Sequence, residues 1–190
     1  MPRLLQEHRK LAALAGSWTG VERIHPSPWD PQGGVAKARV ESRVACDGFC
    51  VVTDYVEERN GAVSYLGHGV TGFDPTLGRY LQHWTDSAGG MPAQAKSGTW
   101  DGDTLTFHGA GPAGRVRYVY LFVSPDVYEL RVENSPDGAA WTSFLEGRYS
   151  RVLAAPLERE VRRRPAGKKR PARKAAKRVK KRPKAKRKAR

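Results

Sequence analysis

The chain has 190 residues and a formal net charge of +15, from 34 Lys and Arg against 19 Asp and Glu. The excess is confined to one end: residues 157–190 hold 19 of the basic and two of the acidic residues, which leaves 15 basic and 17 acidic residues, net −2, in residues 1–156. The body is therefore a faintly acidic domain, and about 150 residues suit one domain with a real core. After Leu4 and Leu5 the sequence turns polar (Gln6, Glu7, His8), so no secretory signal is expected. No apolar run approaches the ~18 residues of a membrane helix. Cys46 and Cys50 are too few for a disulfide framework or a closed zinc site, and read as two reduced thiols in a strand pair.

In chain order, Leu4, Leu5, His8, Leu11, Ala12 and Ala15 recur at helical spacing, which predicts an amphipathic helix over 4–14, ended by Gly16. The rest reads as strands. In 35–46, Ala36, Ala38, Val40, Ser42, Val44 and Cys46 alternate with Lys37, Arg39, Glu41 and Arg43, the period of a strand with one buried and one wet face. Turn pairs such as Asp47-Gly48, Asn60-Gly61, Asp74-Pro75 and Asp101-Gly102 divide the body at short intervals. Between them fall strands near 17–25, 35–46, 49–58, 63–73, 79–86, 93–100, 104–108, 115–123, 127–133 and 141–151. Ten strands with no second helix predict an all-β antiparallel meander, and closing it into a barrel removes the exposed edges.

Gly16-Ser17-Trp18, after a short helix and opening the first strand, resembles the Gly-x-Trp start of the lipocalin and fatty-acid-binding-protein (calycin) superfamily. The resemblance implies that Trp18 plugs the barrel floor. Residues 4–151 also resemble an uncharacterised bacterial lipocalin-like family, through Leu14-Ala15-Gly16-Ser17-Trp18-Thr19-Gly20, Gly69-Val70-Thr71-Gly72-Phe73-Asp74, Gly78-Arg79-Tyr80 and His83-Trp84-Thr85-Asp86-Ser87. It implies a fold and carries no activity with it. The domains expected are a barrel over 1–156 and a disordered tail over 157–190.

A barrel of this size has room for one small, apolar ligand. Trp18, Tyr55, Trp84, Trp100, Tyr118, Tyr120 and Trp141 are candidates for its lining, although most barrel aromatics simply pack. If Asp74 and Arg79 pair across a turn, Val70 faces His83 and His68 faces Thr85, so His68 and His83 become diagonal neighbours on one face. A metal would need a third ligand such as His25 or Glu22; histidines hydrogen-bonded to neighbours are the default. Gly16-Ser17-Trp18-Thr19-Gly20 is also similar to the start of the haem-binding nitrobindins, which ligate haem through a histidine on a late strand. Strands 127–133 and 141–151 contain no histidine, so haem is not expected. There is no Gly-x-Ser-x-Gly elbow and no phosphate loop. Asp54, Glu57 and Glu58 share a strand and read as solvated. The site set is Trp18, His68, His83, Trp84, Asp86 and Tyr118, with no metal or cofactor. A non-catalytic binding module is the favoured reading and an enzyme using the cavity His and Asp residues is the rival. Polar groups converging inside the barrel would favour the enzyme, and a purely apolar lining a carrier.

The tail is the sharpest compositional signal. Arg162-Arg163-Arg164, Lys168-Lys169-Arg170, Arg173-Lys174, Lys177-Arg178, Lys180-Lys181-Arg182, Lys184, Lys186-Arg187-Lys188 and Arg190 place 18 cations in 29 residues without one acid or aromatic. Such a segment cannot offset its ordering entropy by burial. Its Ala- and Pro-spaced basic pairs look like the C-terminal tail of a linker histone. Without aromatics or a fold it has no means of reading bases, so binding to DNA or RNA should be sequence-independent. A nuclear-import signal, an anchor to anionic membranes and a solubilising tail fit the same composition. A cytoplasmic, nucleoid-associated location in a bacterium would follow from the nucleic-acid reading.

Overall fold

The computed structural model describes residues 3–28, 30–89, 94–111 and 114–152. The basic tail lies outside these residues, as does Trp29. A short helix α1 (Gln6–Lys10) continues as a 3-10 turn (Leu11–Leu14) and leads into ten strands. These are β1 (Gly16–Ile24), β2 (Gly34–Ala45), β3 (Cys50–Arg59), β4 (Ala62–Asp74), β5 (Arg79–Asp86), β6 (Lys96–Asp101), β7 (Thr104–Gly111), β8 (Gly114–Ser124), β9 (Val127–Ser135) and β10 (Thr142–Arg151). Each pairs antiparallel with the next, and β1 pairs with β10 from Trp18–Arg151 to Ile24–Leu145. The sheet is thus a closed barrel, as the alternation and turn spacing predict. The helix is shorter than the apolar spacing suggests because its second half tightens into the 3-10 turn.

Alternation assigns each strand an inner face. On β1 this is Trp18, Gly20, Glu22 and Ile24; on β2, Ala36, Ala38 and Val40. Two clusters fill the interior: Leu11, Val51, Tyr80, Leu105 and Phe107 on one side, Trp18, Ala38, Val40, Tyr128 and Tyr149 on the other. The floor is tied shut by Trp18, which is 1% exposed. Its indole N–H donates to the Leu14 carbonyl at 3.0 Å, its ring meets Tyr128 edge-on at 4.8 Å, and the Arg151 guanidinium lies 4.0 Å from its centroid. Arg151 in turn donates to the Ala15 carbonyl and to Asp126. One arginine on the last strand therefore locks helix, first strand and closing seam together.

Large rings fit inside because glycines face them. Trp84 lies over Gly67 and Gly69, where an added Cβ would come within 2.1 and 2.6 Å of the indole. Tyr149 covers Gly20, and Phe107 covers Gly98, in the same way. A ring from one strand thus takes the volume that side chains of the next strand would occupy, an arrangement that also shields a strand glycine.

Candidate functional site

At the end opposite Trp18, β5 stops at Asp86, β6 starts at Lys96, and β4 and β8 bring in Tyr65 and Tyr118. The Trp84 indole N–H donates to the Tyr65 hydroxyl at 3.3 Å, and that hydroxyl hydrogen-bonds to Asp86. The Lys96 ammonium sits 4.8 Å from the Tyr118 ring centroid, a cation–π contact. Burial pulls the Lys96 pKa below its ordinary value, and the nearby Asp86 charge opposes that shift. Burial pushes the Tyr65 and Tyr118 hydroxyls up, so both stay protonated donors. Two donors, one carboxylate and one partly desolvated amine therefore converge on an aromatic wall.

Deeper polar groups are bonded to one another. Glu22 is fully buried and accepts hydrogen bonds from Tyr55 at 2.6 Å and from Tyr149. Desolvation raises its pKa, and the two phenols counteract only part of that rise. Glu57, which the sequence reading left in solvent, is buried. It accepts from Arg59 Nε at 2.7 Å and Ser64 Oγ at 2.8 Å, while Arg59 also reaches Asp30 at 2.5 Å. This ion network bridges the β1–β2 loop to β3 and β4. The interior is polar and tyrosine-rich rather than purely apolar.

An enclosed cavity of about 50 Å³ lies among Ser42, Thr53, Tyr55, Gln82, Trp84 and Tyr120. That holds a few waters, against roughly 300–1,000 Å³ for a pocket that seats a drug-sized ligand. A larger molecule does not fit this cavity as it stands. Of the two linings the sequence left open, the polar one is found. A groove of about 920 Å³ lies against outward side chains of β1, β8, β9 and β10, including Val21, Leu121, Arg131 and Arg148. Its charges answer one another across strands, as Arg148 does Glu129.

The structure separates the six residues proposed from sequence. Trp84, Asp86 and Tyr118 face inward at one end. Trp18 is inward but belongs to the floor, where it packs on Leu14 and Tyr128 of the cavity lining without lining the cavity itself. His68 and His83 stand in the expected register, Val70 opposite His83 and His68 opposite Thr85, but on the outer face. Both are exposed, and His68 Nδ1 pairs with Asp54 at 2.7 Å. Their placement in a cavity is therefore corrected: glycines 67 and 69 hold the inward positions on β4. Glu22 points inward, so it does not join them, and among the described residues no three His, Cys, Asp or Glu side chains gather as a metal would require. Lys96 and Tyr65 escaped the sequence reading, and Glu22 entered it only as a third ligand for a metal. The signals were there: Lys96 shares parity with Gly98 and Trp100, and Glu22 with Trp18.

A family model described as a protein of unknown function, DUF1579, matches residues 3–151. The chain belongs to this family. Among curated proteins, none matches the sequence. The DUF1579 barrel is similar to the crystal structure of Rv2717c from M. tuberculosis, with a TM-score of 0.60 and 14% identity over 80% of this chain and 100% of that one. It is also similar to the S-type phycobiliprotein lyase CPES from Guillardia theta, with a TM-score of 0.55 and 10% identity over 81% of this chain and 100% of that one. At these identities the likeness is one of fold. Among the described residues, no helix is long and apolar enough to cross a membrane.

Proposed function

We propose that the barrel binds a small, planar organic molecule carrying an anionic group, and that the cationic tail holds it on nucleic acid without sequence preference. The observation that carries the first part is the convergence of Tyr65, Asp86, Lys96 and Tyr118 beside the Trp84 ring. A flat apolar wall with a few convergent polar groups is the usual composition of a small-molecule site. Lys96 and the Tyr118 hydroxyl would receive the anion, while Asp86, which accepts the Tyr65 proton, would hold Tyr65 in place. The second part rests on charge density: 18 cations in 29 residues face a polymer whose condensed counterions they would release.

An enzyme is the second reading, favoured by the same convergence and by a Lys96 amine with a depressed pKa. A lysine of that kind serves as base or nucleophile, and one barrel of this fold is a phycobiliprotein lyase. Mass spectrometry of the gently purified full chain tests the binding reading. A low-mass compound should be retained by the native chain and lost from Lys96→Met, with the far-UV spectrum unchanged. A chain that retains nothing and shows no thermal shift across an aromatic-acid library would refute it.

A further inference from the structure

Cys46 and Cys50 lie outside the site described above. They flank the turn between β2 and β3, where the Phe49 amide donates to the Cys46 carbonyl at 3.1 Å. Ala45 is directly opposite Cys50 in the ladder, so Cys46 is the neighbour of the residue facing Cys50. The Cys50 thiol hydrogen-bonds to the Cys46 side chain across the base of this turn, so the two sulfurs are neighbours and within bridging reach. Cys46 is exposed and Cys50 half-buried. Both are free thiols.

We infer that Cys46 and Cys50 form a reversible dithiol–disulfide site that exchanges with low-molecular-weight disulfides. Access sets the order of events. Burial first, and the Cys46 thiol second, hold the Cys50 thiol above its ordinary value, which leaves the exposed Cys46 as the sulfur an external disulfide meets. The Cys46 thiolate attacks one sulfur of R–S–S–R; that bond breaks and one RS⁻ leaves. The Cys50 thiolate then attacks the Cys46 sulfur of the mixed disulfide and expels the second RS⁻. Two thiols of the chain are oxidised, two thiols RSH are produced, and the two protons from the cysteines end on them. The turn between the two thiols is tight, with Cys46 and Asp47 at φ of 50° and 53°, and Gly48 and Phe49 pack on Leu4 and His8 of the N-terminal segment.

Glutathione is the probe. The reduced full chain is equilibrated in buffers of increasing oxidised-to-reduced glutathione, quenched in acid, alkylated, and weighed intact. The doubly alkylated chain should give way in one two-electron transition to a chain that takes no alkylating agent and carries no glutathione. Cys50→Ser should accumulate a stable glutathione adduct, and Cys46→Ser should form one at least tenfold more slowly. The titration of the unaltered chain needs no variant to fold. The inference is overturned by double alkylation at the most oxidising ratio, by chain–chain dimers in place of the internal bond, or by equal adduct rates in the two serine variants.

Discussion

Replacement of Trp18 measures how far barrel closure depends on one residue. The side chain is 1% exposed, and truncating a buried tryptophan to alanine costs about 3–5 kcal/mol. Two further losses accompany it. The Leu14 carbonyl loses its indole donor, which costs about 1–3 kcal/mol when the acceptor stays dry. The Arg151 guanidinium loses its ring, worth about 0.5–1 kcal/mol at a site that is still partly wet. These terms overlap, so Trp18→Ala should lose roughly 4–6 kcal/mol, a large part of the 5–15 kcal/mol that holds an ordinary domain together. Trp18→Phe keeps most of the burial and forfeits the N–H, and should lose ~1–2 kcal/mol. Urea unfolding followed by far-UV circular dichroism gives both values, provided a second probe reports the same transition. A loss below 1 kcal/mol for the alanine variant would show that the floor is closed by something other than Trp18.

Three further outcomes are expected. Because burial raises the folded-state pKa of Glu22 above 4.5, the native state holds its proton longer than the unfolded chain does. Stability should therefore fall as pH rises from about 4.5 through the folded pKa, and Glu22→Gln should flatten this slope in urea midpoints taken across the range; an unchanged slope would assign it elsewhere. Gly67→Ala sets a Cβ 2.1 Å from Trp84 Cζ2 and should cost about 1–3 kcal/mol with a shift in tryptophan emission; a neutral result would mean the ring is not pinned there. Duplex DNA binding should weaken by ~0.9 in log K per phosphate contact for each decade of salt, and residues 1–156 alone should lose that binding yet melt within a couple of degrees of the full chain. A shallow salt slope, or undiminished affinity after truncation, contradicts the tail assignment.

The barrel was legible because its evidence is local and repeated. Period-two alternation in 35–46 and turn pairs at short intervals mark strand after strand, and each agrees with the same closed meander. Even the pairing of Asp74 with Arg79 follows from turn length alone, and it fixes the register of His68 and His83. What the register does not reveal is which face is inside. On β4 the apolar residue Val70 shares parity with His68, so hydrophobicity draws both inward. On the opposite face, Gly67, Gly69 and Thr71 look too small to be a core.

That face is the core because its volume is supplied by the neighbouring strand. Trp84 covers Gly67 and Gly69, leaving Val70 37% exposed. The same exchange explains Lys96. Its stem lies against Gly109, where a Cβ would come within 2.9 Å of its Cγ, so a residue that reads as solvated runs along the inner wall with its apolar stem packed. In a barrel whose rings and long stems lie over glycines, side-chain size along one strand is a poor guide to orientation, and two paired strands read together are a better one. Read pairwise, Gly69 with Trp84 and Gly98 with Tyr80 each place a small residue against a large one, and each pair faces inward. The polar groups at the Asp86–Lys96 end follow from the same rule, since glycines 67 and 109 leave room there for a carboxylate and an amine.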